Sequence, residues 1–415
     1  MTFEFFLSKK ATQKNIYLTV KNSKNKKSYT FRTPLRISQE DWDEKKQRPI
    51  NIYQKKYKIL NNKLDSIKIY FVDNLNKNDA EAKPYCHRTL AREITKICSD
   101  KKIDLPKTSF LFYMQQYINC RKELICNSTY KRYKVFYHLL ERYEGYILKR
   151  LYIDTINADF INDFIRFGKE EEYSENTIYR TIHFVKTILN FAERKGIRTA
   201  VRELELRRER QFKEMVTLTE QEIVKIKTLS VPEELQAVKD WLLISCYTGQ
   251  RFSDFMNFKT DKIQKINGKD CLSFKQQKTQ KQITLPLHPT VINTIERNGN
   301  TFPKKMDIQH YNNDIKKIAQ LASLNEPVKA RKRIGYRTKN VYAEKWEILS
   351  SHIGRRSFAT NFYGKIPTAL LMEATGHSSE QIFMRYINPV DSERILSLGN
   401  YFDKMYEERM GVGVL

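Results

Sequence analysis

A phenol, two imidazoles and a guanidinium fall within one short stretch of this chain, SHIGRRSFATNFYGKIPTALLMEATGHSSEQIFMRY, from Ser351 to Tyr386. The residues concerned are His352, Arg355, His377 and Tyr386. The phenol is a nucleophile, the imidazoles move protons, and the guanidinium grips an anionic group through two parallel N–H bonds. The set suits attack on a phosphodiester, where negative charge builds on phosphate oxygens. A surface helix with ordinary polar residues would show the same types, so the elements that position them must decide.

About a hundred residues upstream, a helix expected over Glu233 to Tyr247 stops at Gly249. A glycine there lets the chain turn sharply and aims Arg251 out of the turn. Alone, Arg251 reads as a salt-bridge partner of Asp254. Cys271 to Lys275 and Lys281 to Leu287 read as two strands of a hairpin whose turn carries Lys278. A lysine so placed can give a proton to a leaving oxygen, although a solvated lysine turn is the plainer reading.

The order of these groups carries a resemblance. TGQR at Thr248 to Arg251, KT at Lys278-Thr279, HIGR at His352 to Arg355, GHSS at Gly376 to Ser379, and Tyr386 look like the motifs of the tyrosine recombinase (phage integrase) family. The resemblance implies that Tyr386 is the nucleophile, that Arg251 and Arg355 clamp the scissile phosphate, and that His377 bonds a non-bridging oxygen. It gives His352 a part in proton transfer and Lys278 the role of general acid, with no cofactor and no metal. Two departures stand out: Gly354 replaces the usual Leu of the second box, and Arg356 follows Arg355. Lys275 and Lys281 remain alternatives to Lys278.

Composition agrees with a nucleic-acid partner. The 415 residues carry a formal net charge of +27, with Lys and Arg spread along the chain. Six cysteines show no C-x-x-C pairing, which speaks for a reducing compartment. The sequence shows no apolar run of membrane length and no signal-peptide core, so a cytoplasmic protein acting on DNA, with no membrane partner, is expected.

The expected fold is multidomain and mainly α: a small α+β N-terminal domain, a helical-bundle core-binding domain, and a mixed α/β catalytic domain. Residues 1–80 hold strands at Ile16 to Val20 and Ser28 to Ile37, then a helix with apolar residues at Leu60, Leu64, Ile67, Phe71 and Leu75. This module resembles the arm-binding domain of mobile-element integrases. Residues 81–107 read as a linker with a short helix, 108–197 as a bundle of about four helices, 198–215 as a second linker, and 216–415 as the catalytic domain with a C-terminal tail. Within the bundle, Ser174 caps a helix whose buried stripe is Ile178, Ile182, Val185 and Leu189. Thr219 and Glu222 form a capping box at the start of the last domain.

Candidate DNA contacts are Lys26 and Lys27 in the Asn22 to Lys27 turn, Arg180 and Lys186 off the bundle stripe, and Lys329, Arg331, Lys332 and Arg333 in a basic insertion read as phosphate-contacting or as a solvated loop. The expected function is integration and excision of a mobile genetic element through a 3′-phosphotyrosyl intermediate. The expected partners are double-stranded DNA sites, a homotetramer in the synaptic complex, and an excision factor or host DNA-bending protein as optional accessories. Rival readings are an invertase or chromosome-resolution recombinase, a type IB-like topoisomerase, and a DNA-binding regulator without catalysis. The apolar residues Ile395, Leu396, Leu398, Tyr401 and Phe402 of the tail are expected to dock on a neighbouring protomer.

Overall fold

The computed structural model describes residues 2–9, 12–21, 28–52, 54–81, 86–99, 105–206, 215–335, 337–387 and 392–410. Lys26 and Lys27 lie outside the described residues. The chain divides into two compact units, Met1–Arg210 with Arg333–Thr338, and Gln211–Lys332 with Lys339–Leu415.

In the first unit, β1 (Thr2–Leu7), β2 (Gln13–Lys21) and β3 (Ser28–Ser38) form an antiparallel sheet in the order β1-β2-β3. Alternation puts Phe3, Phe5, Ile16, Leu18, Val20, Phe31, Leu35 and Ile37 on the buried face. The other face presents Phe6 stacked on Tyr17, and Tyr17 stands opposite Arg32. β1 was not foreseen, because its short run ends without a turn signal. A short pair, β4 (Trp42–Asp43) and β5 (Arg48–Pro49), leads into α1 (Lys55–Glu81). Leu60, Leu64, Ile67 and Phe71 of α1 close the core under the sheet.

α2 (His87–Cys98) is the short helix expected inside a linker, and here the reading needs correction. Leu90, Ile94, Ile97 and Cys98 are buried in the same core as the sheet, so α2 belongs to the module rather than to a spacer. Charged groups tie α1 to its neighbours: Asp65 accepts from Arg48 of β5 at 3.2 Å and from Arg142 of α4 at 3.4 Å, and Arg150, just after α4, reaches Asp73 at 2.7 Å.

The bundle consists of α3 (Phe110–Arg121), α4 (Asn127–Ile147), α5 (Ala158–Glu170) and α6 (Glu175–Glu193) around Met114, Leu140, Phe164, Ile182 and Val185. Ser109, Asn157 and Ser174 accept N-terminal backbone N–H groups and fix where three of these helices begin. Val201 and Leu204 still pack on this core, so the expected linker starts later than residue 198.

The second unit opens with α7 (Glu220–Thr228), capped by the Thr219–Glu222 box. α8 (Glu233–Thr248) is apolar on nearly all sides, burying Trp241, Leu242, Ile244 and Cys246, and is the central helix on which the rest assembles. α9 (Phe252–Phe255) follows directly. A three-stranded antiparallel sheet, β6 (Ile263–Ile266), β7 (Lys269–Lys275) and β8 (Gln282–Pro286), extends the expected hairpin by one strand. α10 (Pro289–Arg297) and α11 (Ile308–Leu321) pack against α8.

The basic insertion is a two-stranded ribbon, β9 (Pro327–Ile334) and β10 (Arg337–Glu344), which corrects the expectation of a loop. Alternation exposes Lys329, Arg331 and Arg333 along β9. α12 (Lys345–Ile348), α13 (Ile353–Phe362), α14 (Thr368–Thr375), α15 (Glu380–Phe383) and α16 (Ser392–Met410) complete the unit. No described helix is long and apolar enough to cross a membrane.

Candidate active site

α8 ends at Gly249, whose φ of +64° makes a left-handed cap, and Arg251 leaves the turn as the residue preceding α9. Its guanidinium donates to Gln276 Oε1 at 3.2 Å and lies 3.8 Å from Asp254 Oδ2. The Asp254 pairing expected from sequence is therefore present but loose, and Gln276 is the closer partner.

α13 crosses α8 closely. At Gly354 a Cβ would come within 2.0 Å of Ser245 Oγ and 2.7 Å of the Ser245 backbone carbon. The departure from the family's Leu is thus what this crossing requires, because a larger residue would push the helices apart. The crossing sends Arg355 into the interior, where it is fully buried. Arg355 donates to the carbonyls of Gly249 at 2.9 Å and Thr375 at 2.8 Å, and to His377 Nε2 at 3.0 Å. Its buried Nε has no hydrogen-bond partner among the described residues. Arg356, half-buried, occupies the next position on α13, where burial lowers its pKa and the neighbouring Tyr386 opposes that shift.

His377 follows the left-handed cap of α14 at Gly376. Its Nδ1 lies 2.8 Å from Thr375 Oγ1, and that hydroxyl donates to Leu371 O at 2.6 Å. The hydroxyl proton is spent on the carbonyl, and Nε2 faces an arginine N–H. The ring must therefore carry its proton on Nδ1 and present Nε2 as an acceptor. Burial, then Arg355, Arg251 and Lys281, push the His377 pKa down to about 4. His352, at the start of α13, is also held below the usual imidazole value, by desolvation and then by Arg356, Arg355, Arg251 and Lys278.

Tyr386 closes the group from a 3-10 turn, Met384–Tyr386, that rests on Phe383, Phe358 and Leu371. Its ring centroid lies 4.9 Å from that of His377 and 5.3 Å from the Arg355 guanidinium carbon. Arg251, Arg355, His377 and Tyr386 are brought together, and the field of Lys278 reaches His352 while that of Lys281 reaches His377. Lys275, Lys278 and Lys281 are all exposed.

Other candidate DNA residues fare unequally. Arg180 is exposed on α6, but Lys186 is committed to the Leu204 carbonyl at 2.7 Å and Lys332 to Glu347 at 2.9 Å. Each of these two ammonium groups gives one N–H to that acceptor and keeps its other donors. Sequence reasoning missed Gln250, Gln276 and Thr375, all fully buried and bonded into the site. Gln250 lies inside the TGQR motif and Thr375 just before GHSS, which is the only signal the sequence held for them.

The phage integrase SAM-like domain model matches residues 109–201, and the phage integrase family model matches residues 208–393. Among curated proteins no sequence matches significantly. Among solved structures, the Tn1549 transposon integrase (residues 82–397) in complex with a circular intermediate DNA aligns with a TM-score of 0.53 and 15% identity, covering 71% of this chain and 99% of that one. XerH site-specific recombinase bound to its difH substrate aligns at TM-score 0.49 and 13% identity, over 73% and 98% of the two chains. A lambda integrase tetramer bound to a Holliday junction aligns at 0.46 and 15%, over 88% and 94%. The fold and the two matched models define a site-specific tyrosine recombinase, an enzyme of DNA strand exchange. The chain belongs to the phage integrase family.

Proposed function

We propose that this recombinase is the integrase of a mobile genetic element, acting as a homotetramer on two double-stranded DNA sites. The observation that carries the chemistry is Tyr386 packed against Arg355 and His377 in a site whose cations are fixed by buried carbonyls and amides. A phenol has an ordinary pKa of about 10, so it attacks at neutral pH only among cations or beside a base.

In the proposed step, Tyr386 Oη bonds to phosphorus and the bond from phosphorus to the 5′ oxygen breaks. The phenol proton passes to neutral His352, and Lys278 gives a proton to the departing 5′ oxygen. Arg251 and Arg355 hold the non-bridging oxygens while charge grows there. For His377 to bond a phosphate oxygen, Arg355 must turn from Nε2 to the phosphate and Nε2 must gain a proton, which the phosphate charge favours. One phosphodiester is exchanged for another, so strand rejoining by a partner's 5′ hydroxyl needs no external energy.

The element role is supported by the three-stranded N-terminal sheet, whose outer face carries Tyr17, Thr19, Thr30, Arg32 and Arg36. Such a face suits a DNA groove, and Arg180, Lys329, Arg331 and Arg333 add phosphate contacts. Leu396, Tyr401, Phe402, Met405 and Tyr406 of α16 are exposed and would dock on a neighbouring protomer. An excision factor or host bending protein fits the same scheme as an accessory. The test is recombination of purified protein on plasmids carrying the element's ends and a target. Joining of ends to target supports the proposal; inversion between repeats without joining would replace it.

A further inference from the structure

The lysine-bearing turn is fastened to the arginine clamp by one buried side chain. Gln276 directly follows β7, is fully buried, and uses all four bonding positions of its amide. Nε2 donates to Gln250 Oε1 at 2.9 Å and to the Thr375 carbonyl at 3.1 Å. Oε1 accepts from Arg251 at 3.2 Å and from Thr279 Oγ1 at 2.6 Å. The Thr375 carbonyl is the same one that receives Arg355. The backbone of Gln276 also closes the turn, donating to Lys281 O and accepting from Gln280 N–H, each at 2.9 Å.

Lys278 sits between two tethered neighbours. Gln277 N–H donates to Asp254 Oδ1 at 2.9 Å, and Thr279 is held by Gln276. Gly376 makes room for the amide: a Cβ at this left-handed position, φ +71°, would lie 2.5 Å from Gln276 Oε1. A surface hairpin carrying a solvated lysine would need none of this. We infer that Gln276 is a positioning residue for strand cleavage, setting the place of Lys278 relative to Arg251 and Arg355 so that proton delivery and phosphate grip act on the same phosphodiester. The inference rests on Lys278 being the general acid.

The experiment measures single-turnover cleavage of a duplex bearing the protein's own cleavage site, located by its covalent adduct. It compares normal DNA with DNA whose scissile 5′ bridging oxygen is sulfur. A thiolate leaves without being protonated, so that substrate relieves the need for a general acid. Gln276→Met keeps the length and removes the amide; Thr279→Val removes one link from an exposed position where folding is not at risk.

On normal DNA, Gln276→Met is expected to cleave about 100-fold more slowly, as for a catalytic group displaced by about an ångström, and Thr279→Val to show a smaller loss. On the sulfur substrate both losses should shrink at least about tenfold, as for Lys278→Ala, while the loss in Arg251→Ala should persist. Rescue of Lys278→Ala without rescue of Gln276→Met or Thr279→Val would overturn the positioning role alone. Failure to rescue Lys278→Ala would remove Lys278 as the acid, and the inference with it.

Discussion

His377 turns its Nε2 lone pair toward Arg355 because Thr375, having given its own proton to the Leu371 carbonyl, accepts the proton on the other ring nitrogen. The consequence is a site whose imidazoles are neutral at physiological pH, with His377 near 4 and His352 below the ordinary value. A histidine depressed on folding adds stability that is present above its unfolded value, about 6.5, and is lost as pH falls through its folded value. Activity follows the same direction if His352 takes the phenol proton. Single-turnover cleavage measured between about pH 4.5 and 8.5 should hold a plateau at neutral pH and fall on the acid side. His352→Gln should lower the plateau and remove that contribution to the acid limb. An unchanged profile in His352→Gln would assign the limb to another group.

At the scale of elements, the decisive feature is the crossing of α8 and α13, because it delivers Arg355 to the carbonyls beyond both helices. Restoring the family's usual residue, Gly354→Leu, should destabilise the protein by about 1–3 kcal/mol or more and lower its Tm, since the added carbons meet the Ser245 backbone. A melt that matches the parent would show that the crossing relaxes freely. The helical elements were legible because their caps and apolar spacing are local: Thr219 with Glu222, Ser174, and the stop at Gly249 all stand where the sequence puts them. The ribbon β9–β10 was not, because Lys and Arg make up half of β9 and the alternation rests on small partly buried residues, Val328 and Ala330 in β9 and Val341 and Ala343 in β10. α2 reads as a helix within a linker because charged stretches flank it on both sides, and its packing on the sheet core is a tertiary fact. Gln276 was illegible for a different reason: a glutamine beside a turn reads as solvated, and only the tertiary structure shows its amide enclosed.

For the whole molecule, the proposed tetramer has to assemble through surfaces that the single chain leaves uncovered. α16 is such a surface, with Tyr401 67% and Phe402 60% exposed. Ending the chain after Ile387 should leave binding to a single site intact and lower recombination of paired sites strongly, read by gel shift and by joint-product yield. Full recombination by the shortened protein would place assembly elsewhere. The net charge of +27 further implies that DNA affinity falls steeply with salt. All of this presupposes that Tyr386 is the attacking group. The most direct measurement is the covalent protein–DNA adduct formed on the cleavage-site duplex, compared between the parent and Tyr386→Phe. The parent should give an adduct on a peptide containing Tyr386 and Tyr386→Phe none, with equal DNA binding by both; an adduct that survives the substitution would show that another residue is the nucleophile.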